Sequence, residues 1–287
     1  MTPTIIMKGM PVAKKLLTLD KEDKELLANK KVCIFTNEED PASAIYVRNK
    51  RKKFEEVGIK CDVVTTNNLS FAEVQELTRS FQTDGIPYMF QLPMAAHFTA
   101  EEQENLVNQT TPFLDLDSMS CFVQGSFYNK PSLDNSPCTP YGIILMLKHY
   151  LNEEEDLLNK NVVVIGRSGI VGRPMARLME YFFDATVTIC HSKTKNIKDI
   201  IRRADIIVCA VGKANFLTVD MIKDGAIIVD VGINRNENGV VVGDVKTSLE
   251  LMEKVKAITP VPGGVGPMTV GTLVYKTIEK FKKEENR

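Results

Sequence analysis

Short apolar runs alternate with longer amphipathic stretches along the first half of the chain. The runs have the length of buried strands, and the stretches repeat at the spacing of helices. The predicted strands cover residues 31–35, 60–64 and 88–92, and the predicted helices between them cover residues 42–57 and 71–81. Gly58 stands where the C-cap of the first helix is expected. Strand–helix–strand repetition at this spacing predicts a parallel α/β sheet.

A second series of the same kind follows Pro137-Cys138-Thr139-Pro140. Its predicted strands cover residues 161–165, 186–190, 206–210 and 227–231. Its predicted helices cover residues 142–151, a segment that ends at 183, and 269–283. The break between the two series predicts a domain boundary near residues 137–141.

Composition narrows the class of protein. The 287 residues are 44% hydrophobic and 25% charged, with a net charge of −1, as in an ordinary soluble globular protein. A near-neutral chain argues against nucleic acid as a partner, and no apolar stretch approaches the roughly 18–20 residues that span a bilayer. The six cysteines and three histidines are scattered. We therefore expect reduced cysteines, a cytoplasmic location and no metal site.

One glycine-rich turn carries most of the candidate chemistry. A buried strand runs into Gly166-Arg167-Ser168-Gly169-Ile170-Val171-Gly172, which opens a helix. Such a turn places backbone N–H groups and the positive helix end against a phosphate. Against the Rossmann pattern G-x-G-x-x-G, Ser168 stands at the second glycine position and Val171 at the third. A plain tight connection has the same appearance, so the turn alone leaves both interpretations open.

The end of the next strand favours NADP over NAD. An NAD enzyme usually places Asp or Glu there to hold the ribose 2′-hydroxyl, whereas this chain has Cys190-His191-Ser192-Lys193-Thr194. Arg167 is a candidate fork for a 2′-phosphate, with Ser192 and Lys193 nearby. The same residues suit a solvated loop. The basic turn and the missing acid together make NADP the expected cofactor.

Two more turns have the composition of ligand-binding loops. The strand that ends in Asp230-Val231-Gly232-Ile233-Asn234 leaves room for a ribose or nicotinamide to approach closely. The segment from Thr259 to Thr269 holds three glycines and three prolines, which fix a rigid loop with exposed amides. A simple connector would explain either turn, but so many turn residues before a helix are typical of a ligand site.

Tyr46 and Lys50 are four residues apart and so share one face of the predicted helix. An aromatic face beside an amine suits a flat heteroaromatic ring flanked by a reacting nitrogen. The run from Arg48 to Lys53 is also typical of a basic, solvated helix face. The residues alone favour the solvated helix over a ring-binding site.

Several long motifs are shared with one known family. The first half of the chain contains PASAIYVRNK and EEVGI, and the second contains PCTP, GRSGIVGRP, HSKT, DVGIN and TPVPGGVGPMT. Together they closely resemble the bifunctional methylenetetrahydrofolate dehydrogenase/methenyltetrahydrofolate cyclohydrolase family. The resemblance runs essentially from end to end.

The resemblance implies a tetrahydrofolate derivative as substrate, with its pterin stacked on Tyr46 and Lys50 as the catalytic amine. Gln91 is implied to hydrogen-bond Lys50, and Asp117 to bind the amino edge of the pterin. These four are the implied catalytic residues, and the resemblance implies that all four also contact the substrate. The implied substrate site also includes Leu92, Pro262, Gly263 and Gly264. The implied NADP contacts are Gly166, Arg167, Ser168, Ser192 and Ile233.

The implied activity has two steps in one-carbon metabolism. NADP-dependent oxidation converts 5,10-methylenetetrahydrofolate to 5,10-methenyltetrahydrofolate, and hydrolysis of that cation gives 10-formyltetrahydrofolate. Positioning supplies most of the first step, because hydride transfer needs donor and acceptor carbons within about 3–3.5 Å. For the second step, we hypothesise that Lys50 assists water addition or proton transfer.

The central folate region departs from the family's pattern. The family typically has DGILVQLPLP, whereas this chain has DGIPYMFQLPMA over residues 84–95, with two additional residues before Gln91. The family's KDVDG becomes LDLDS over residues 114–118. The alternative is therefore a dehydrogenase alone, with weakened cyclohydrolase activity. A non-catalytic module that binds NADP or folate is a third possibility, which the intact Tyr46, Lys50, Gln91 and Asp117 disfavour.

The resemblance also implies an architecture of two α/β domains with a cleft between them. Residues 1–140 form the expected folate-binding catalytic domain, and residues 141–267 the Rossmann-type NADP-binding domain. A C-terminal helix over about 268–287 is expected to pack back on the first domain. A homodimer through the cofactor domain is implied as well.

Overall fold

The computed structural model describes residues 3–285, apart from the side chain of Ala42. The chain forms two compact units. Unit 1 contains the described residues up to Lys15 and Pro137–Thr272, and unit 2 contains Leu16–Ser136 and the described residues from Leu273. The predicted domain limits at 1 and 287 lie outside the described residues. The division at residue 140 into a folate-binding and an NADP-binding domain stays a prediction.

The strands are short, and most follow the apolar runs of the sequence. They are β1 (Ile5–Ile6), β2 (Lys31–Thr36), β3 (Lys60–Thr65), β4 (Tyr88–Phe90), β5 (Asn161–Ile165), β6 (Thr186–Cys190), β7 (Ile206–Cys209), β8 (Ile227–Asp230), β9 (Asn234–Arg235), β10 (Val241–Val242) and β11 (Ala257–Ile258). The predicted strands are present, with ends within two residues of the expected ones. The strands of only two residues, such as β1 and β11, have no counterpart among the predicted segments.

The helices connect these strands. They are α1 (Gly9–Leu16), α2 (Lys21–Leu27), α3 (Pro41–Glu56), α4 (Phe71–Thr83), α5 (Ala100–Asn108), α6 (Cys121–Asn129), α7 (Cys138–Tyr150), α8 (Gly172–Phe183), α9 (Ile197–Ile201), α10 (Leu249–Lys254) and α11 (Val265–Glu285). A π-helical turn covers Glu153–Leu157, and a 3₁₀ turn covers Val219–Met221. In the described part of the chain, no helix combines the length and apolar character needed to cross a membrane.

Unit 1 is built on a six-stranded sheet in the order β1-β11-β8-β7-β5-β6, with every neighbouring pair parallel. The inner strands are buried on both faces, which explains why they are continuous runs of Val and Ile rather than alternating ones. In such a sheet, ligands bind beyond the carboxyl ends of the strands. The predicted α/β class is confirmed.

Unit 2 has a smaller parallel sheet in the order β3-β2-β4. The aromatic rings of Phe35 and Phe90 stack in its core, 4.9 Å apart between centroids, and Tyr88 packs edge-on against both. The segment at Asp115 continues the sheet beside β4: the Tyr88 N–H donates to the Leu114 carbonyl at 3.0 Å. Because this pairing is parallel, residues that follow β4 and residues that follow Asp115 reach the same edge.

Candidate functional site

Lys50 is buried on the inner side of α3. It is 5% exposed, and its Nζ donates to Gln91 Oε1 at 3.0 Å and contacts Met89 Sδ at 3.7 Å. Gln91 directly follows β4, and its backbone N–H donates to the Phe35 carbonyl at 2.8 Å. Within the described chain, no carboxylate forms an ion pair or hydrogen bond with Lys50. An amine kept in such a place is costly for stability, which is typical of a group retained for chemistry.

Tyr46 lies one helical turn before Lys50 on α3 and is half-buried. Burial raises the pKa of its hydroxyl, so the ring stays neutral at physiological pH. The helix therefore presents a neutral aromatic face and an amine on one side, as the four-residue spacing predicts.

Asp117 follows the segment that pairs with β4. A small, partly enclosed recess is lined by Tyr88, Met89, Phe90, Val107, Thr110, Asp115, Asp117 and Met119. Met89 belongs to this recess and also contacts Lys50, so the structure brings Lys50, Gln91 and Asp117 to one edge of the unit 2 sheet. The neighbouring Asp115 has a local role, because its carboxylate accepts the backbone N–H groups of Met119 and Ser120.

Ser118 occupies the position where the family pattern has glycine. Its φ is +56°, in the left-handed region that glycine adopts without strain. The serine is fully buried, its hydroxyl accepts a hydrogen bond from Lys276 Nζ, and it donates to the Asp134 carbonyl at 3.3 Å. Ser118 is therefore held in this conformation by one hydrogen bond that it accepts and one that it donates, each with a different neighbouring segment.

Sequence reasoning missed two buried lysines on α11. Lys276 donates to Ser118 and to the Ser136 carbonyl. Lys280, 4% exposed, donates to three backbone carbonyls, those of Pro112, Phe113 and Asp115, at 2.7–3.1 Å. The available signal was their four-residue spacing inside an apolar stripe. They anchor the segment that carries Asp117.

Replacing Lys280 with methionine is expected to lower the free energy of unfolding by about 2 kcal/mol or more, because three carbonyls lose their shared donor. The matched control is Lys283→Met on the same helix. Lys283 is half-exposed and pairs with Asp134, so its loss is expected to stay below about 1 kcal/mol. Urea denaturation followed by circular dichroism measures both. Equal losses at the two positions would contradict the anchoring role of Lys280.

The glycine-rich turn of unit 1 is closely packed. Gly166 has φ +130°, and a Cβ added there would lie 2.3 Å from the Ala210 carbonyl oxygen. A Cβ on Gly172 would lie 2.3 Å from the Gly166 carbonyl oxygen. The glycine that lets the start of α8 pack against the turn is therefore Gly172, one residue beyond Val171, which holds the third glycine position of the Rossmann pattern. Ser168 Oγ accepts the N–H groups of Val171 and Gly172, both at 3.2 Å.

Arg167 and Ser192 occupy corresponding positions beyond two adjacent strand ends. Their strands β5 and β6 are parallel neighbours in which Ile165 pairs with Cys190, and each residue stands two positions beyond its paired strand end. Both side chains are exposed, and no acid follows β6 before α9. Ile233, half-exposed, follows β8 at the same edge of the sheet. These features fit a phosphorylated dinucleotide: the glycine-rich turn, the N-terminus of α8, and Arg167 and Ser192 at adjacent strand ends.

The loop from Val261 to Gly264 belongs to unit 1. Gly263 has φ +104°, and its carbonyl accepts the Gly9 N–H at 2.9 Å. A Cβ on Gly264 would lie 2.5 Å from the Pro260 carbonyl oxygen, so the loop requires glycine there. Leu92, by contrast, is part of unit 2 and follows Gln91 directly.

Family models match both parts of the chain. Residues 7–117 match the catalytic domain of tetrahydrofolate dehydrogenase/cyclohydrolase, and residues 137–285 match its NAD(P)-binding domain. The chain belongs to this family. The resemblance predicted from the sequence is therefore confirmed.

Individual relatives of the tetrahydrofolate dehydrogenase/cyclohydrolase family agree in length. The "Bifunctional protein FolD" of Ligilactobacillus salivarius is 40% identical over 283 residues, 96% of this chain and 95% of the relative. The crystal structure of the bifunctional FolD enzyme from Campylobacter jejuni is 35% identical, covers 98% of this chain and 99% of its own, and has a TM-score of 0.88.

A third relative was solved with ligands. The Trypanosoma brucei methylenetetrahydrofolate dehydrogenase-cyclohydrolase, complexed with NADP cofactor and inhibitor, is 29% identical, covers both chains completely and has a TM-score of 0.86. The two solved structures carry both activities in their names, and nothing in the comparisons favours the dehydrogenase-only alternative.

Proposed function

We propose that the protein oxidises 5,10-methylenetetrahydrofolate with NADP and hydrolyses the methenyl product to 10-formyltetrahydrofolate. The observation that carries this proposal is the buried Lys50, held by Gln91 without a carboxylate and one turn from Tyr46. Such an amine is positioned to act on a substrate rather than to stabilise the fold. Family membership supplies the substrate class and both reactions.

In the proposed substrate site, Tyr46 stacks on the pterin and Asp117 accepts hydrogen bonds from its amino edge. Lys50 lies beside the reacting one-carbon bridge, and Gln91 fixes the direction of its Nζ. Oxidation leaves a methenyl cation delocalised over two nitrogens. Lys50 then assists addition of water to that carbon or the proton transfer that opens the ring. Leu92 and the loop at Pro262, Gly263 and Gly264 complete the proposed substrate contacts.

The proposed cofactor contacts are Gly166, Arg167, Ser168, Ser192 and Ile233. The turn at Gly166 and Ser168 holds the pyrophosphate at the start of α8. Arg167 and Ser192 contact the 2′-phosphate from adjacent strand ends, which is the basis for choosing NADP over NAD. When bound, NADP supplies the acceptor for the hydride that leaves the folate methylene group.

The decisive experiment incubates purified protein with 5,10-methylenetetrahydrofolate and NADP and follows NADPH and methenyl product together. NADPH without accumulated methenyl product is expected and means that both activities are present. Methenyl product that accumulates one-for-one with NADPH and decays at its spontaneous rate would establish the dehydrogenase-only alternative. No NADPH at all, with ligand binding retained, would favour the non-catalytic module.

We also propose a homodimer through unit 1 and a cytoplasmic location. Strand β6 is the edge of its sheet and exposes Ile189, and the preceding helix α8 exposes the aromatic Tyr181. An exposed sheet edge of this kind is suited to pairing with a second copy. Sedimentation equilibrium is expected to give a dimer for the wild-type protein and a monomer for Ile189→Lys. A monomeric wild-type protein at micromolar concentration would contradict the homodimer.

A further inference from the structure

Two buried aspartates at the carboxyl edge of the unit 1 sheet have no part in the proposed chemistry. Asp230 is the last residue of β8, and Asp244 follows β10. They are 3% and 0% exposed. Burying a carboxylate costs free energy unless it is fully hydrogen-bonded. The groups that donate hydrogen bonds to Asp230 and Asp244 therefore indicate which segments the two aspartates hold in place.

Asp230 fixes the segment that carries Asp244. Its Oδ1 accepts the backbone N–H groups of Gly232 and Asp244 at 2.9 Å each, and its Oδ2 accepts that of Val245 at 3.0 Å. A Cβ on Gly243 would lie 1.8 Å from Oδ2, so only glycine fits there. Burial, together with the negative charge of Asp244, raises the pKa of Asp230 to about 6 despite these hydrogen bonds.

Asp244 in turn holds the loop that follows β7. Its Oδ2 accepts the N–H groups of Val211 at 2.7 Å and Gly212 at 3.0 Å. Its Oδ1 accepts the Lys213 N–H at 2.9 Å and Asn234 Nδ2 at 2.8 Å. Three successive backbone N–H groups around one anion form the kind of concavity that elsewhere binds a phosphate. Here an internal carboxylate occupies it.

The loop held by Asp244 packs against the glycine-rich turn. Ala210, which precedes it, places its carbonyl oxygen where a Cβ of Gly166 would stand. Asn234, the other donor to Asp244, directly follows Ile233. Asp244 thus accepts hydrogen bonds from the loop that packs beside Gly166 and from Asn234, which is next to Ile233. Gly166 and Ile233 are both proposed cofactor contacts. Charge-assisted hydrogen bonds of normal length give such a contact both strength and direction.

We propose that Asp244 is a positioning residue for NADP, one that orients the loop at Val211, Gly212 and Lys213 together with the turn at Ile233. It acts through backbone amides rather than by contact with the cofactor. This inference rests on the proposed function, because it concerns the same dinucleotide site.

The test compares Asp244→Asn with Asp205→Asn. The first replaces one accepting oxygen by a donor that faces backbone N–H groups. Asp205→Asn removes a carboxylate at the other end of β7, directly before the strand. This carboxylate accepts the Asn161 N–H at 2.8 Å and pairs with Lys223. Isothermal titration calorimetry with NADP is suitable, since the chain has no Trp for a fluorescence signal. Dehydrogenase and cyclohydrolase rates are measured in parallel.

Asp244→Asn is expected to raise the Kd for NADP by about tenfold or more and to lower dehydrogenase kcat/KM to match. Cyclohydrolase kcat, which needs no hydride acceptor, is expected to stay within about twofold of wild type. Asp205→Asn is expected to leave NADP binding unchanged. A loss of both activities in parallel would indicate a purely structural role and overturn the inference.

A second variant covers the case in which Asp244→Asn does not fold. Asn234→Ala removes one donor to Asp244 and is expected to raise the Kd for NADP by about two- to fivefold. Wild-type NADP affinity in this variant would overturn the inference while leaving the proposed function intact. A wild-type protein that itself binds no NADP would instead overturn the proposed function and the inference with it.

Discussion

Lys50→Met is expected to lower cyclohydrolase turnover by about 10²–10⁴-fold, the range that one acid–base group contributes. Methionine has nearly the length of lysine and fills the same buried volume, but it leaves Gln91 without its donor and the site without an amine. NADP binding, measured by calorimetry, is expected to be unchanged because Lys50 lies in unit 2 and the glycine-rich turn in unit 1.

The matched control for this variant is Lys52→Met, the same exchange at an exposed position of α3. It is expected to retain wild-type rates for both reactions. Normal methenyl hydrolysis by Lys50→Met would refute the proposed role of the amine, and equal losses in both variants would point to the charge of the helix rather than to Lys50.

Gly166→Ala is expected to raise the Kd for NADP by about tenfold or more and to lower the free energy of unfolding by about 3 kcal/mol. The added Cβ would meet the Ala210 carbonyl oxygen at 2.3 Å, and alanine rarely adopts the φ of +130° found there. The turn must therefore shift away from β7. Calorimetry with NADP measures the first effect and urea denaturation the second.

Gly169→Ala serves as the stability control within the same turn. A Cβ at Gly169 meets nothing within 4 Å and requires no left-handed backbone. Its free energy of unfolding is expected to stay within about 0.5 kcal/mol of wild type. If Gly166→Ala were as stable as Gly169→Ala, close packing of the turn would not be the reason for glycine at position 166.

The sequence predicted the elements whose pattern is local. Strands β5 and β6 have the predicted ends because each is an unbroken or β-rich run bounded by turn residues. Helix α3 ends before Gly58, which has φ +88° and so acts as the expected stop. Where propensity, spacing and capping agree, no tertiary information is needed.

Elements that depend on distant partners were not predictable. Strands β1 and β11 have two residues each and exist because Ile5 pairs with Ala257 across most of the chain. Two residues cannot show a period. Likewise, the sequence marks Lys280 only by its four-residue spacing from Lys276 inside an apolar stripe. The carbonyls that accept its hydrogen bonds are what keep it buried while Lys283 stays half-exposed.

The candidate site shows the same division. The pairing of Lys50 with Gln91 was implied by the resemblance, and the geometry agrees with it. The Rossmann pattern places its third glycine at Val171, but the close approach to Gly166 occurs at Gly172, and only the backbone coordinates show which of the two residues makes it. Asp230 stood inside a motif that suits a ligand, yet its carboxylate faces the interior and binds backbone amides.

Helix α11 contributes its first turns to unit 1 and its last turns to unit 2. Residues 16–136 therefore leave the ribosome long before the lysines that anchor their Asp117 segment have been translated. Until α11 is made, the carbonyls of Pro112, Phe113 and Asp115 have no Nζ to bind. Unit 2 thus cannot reach its final state as a nascent chain, and a fragment cut before residue 273 would lack the part that completes it.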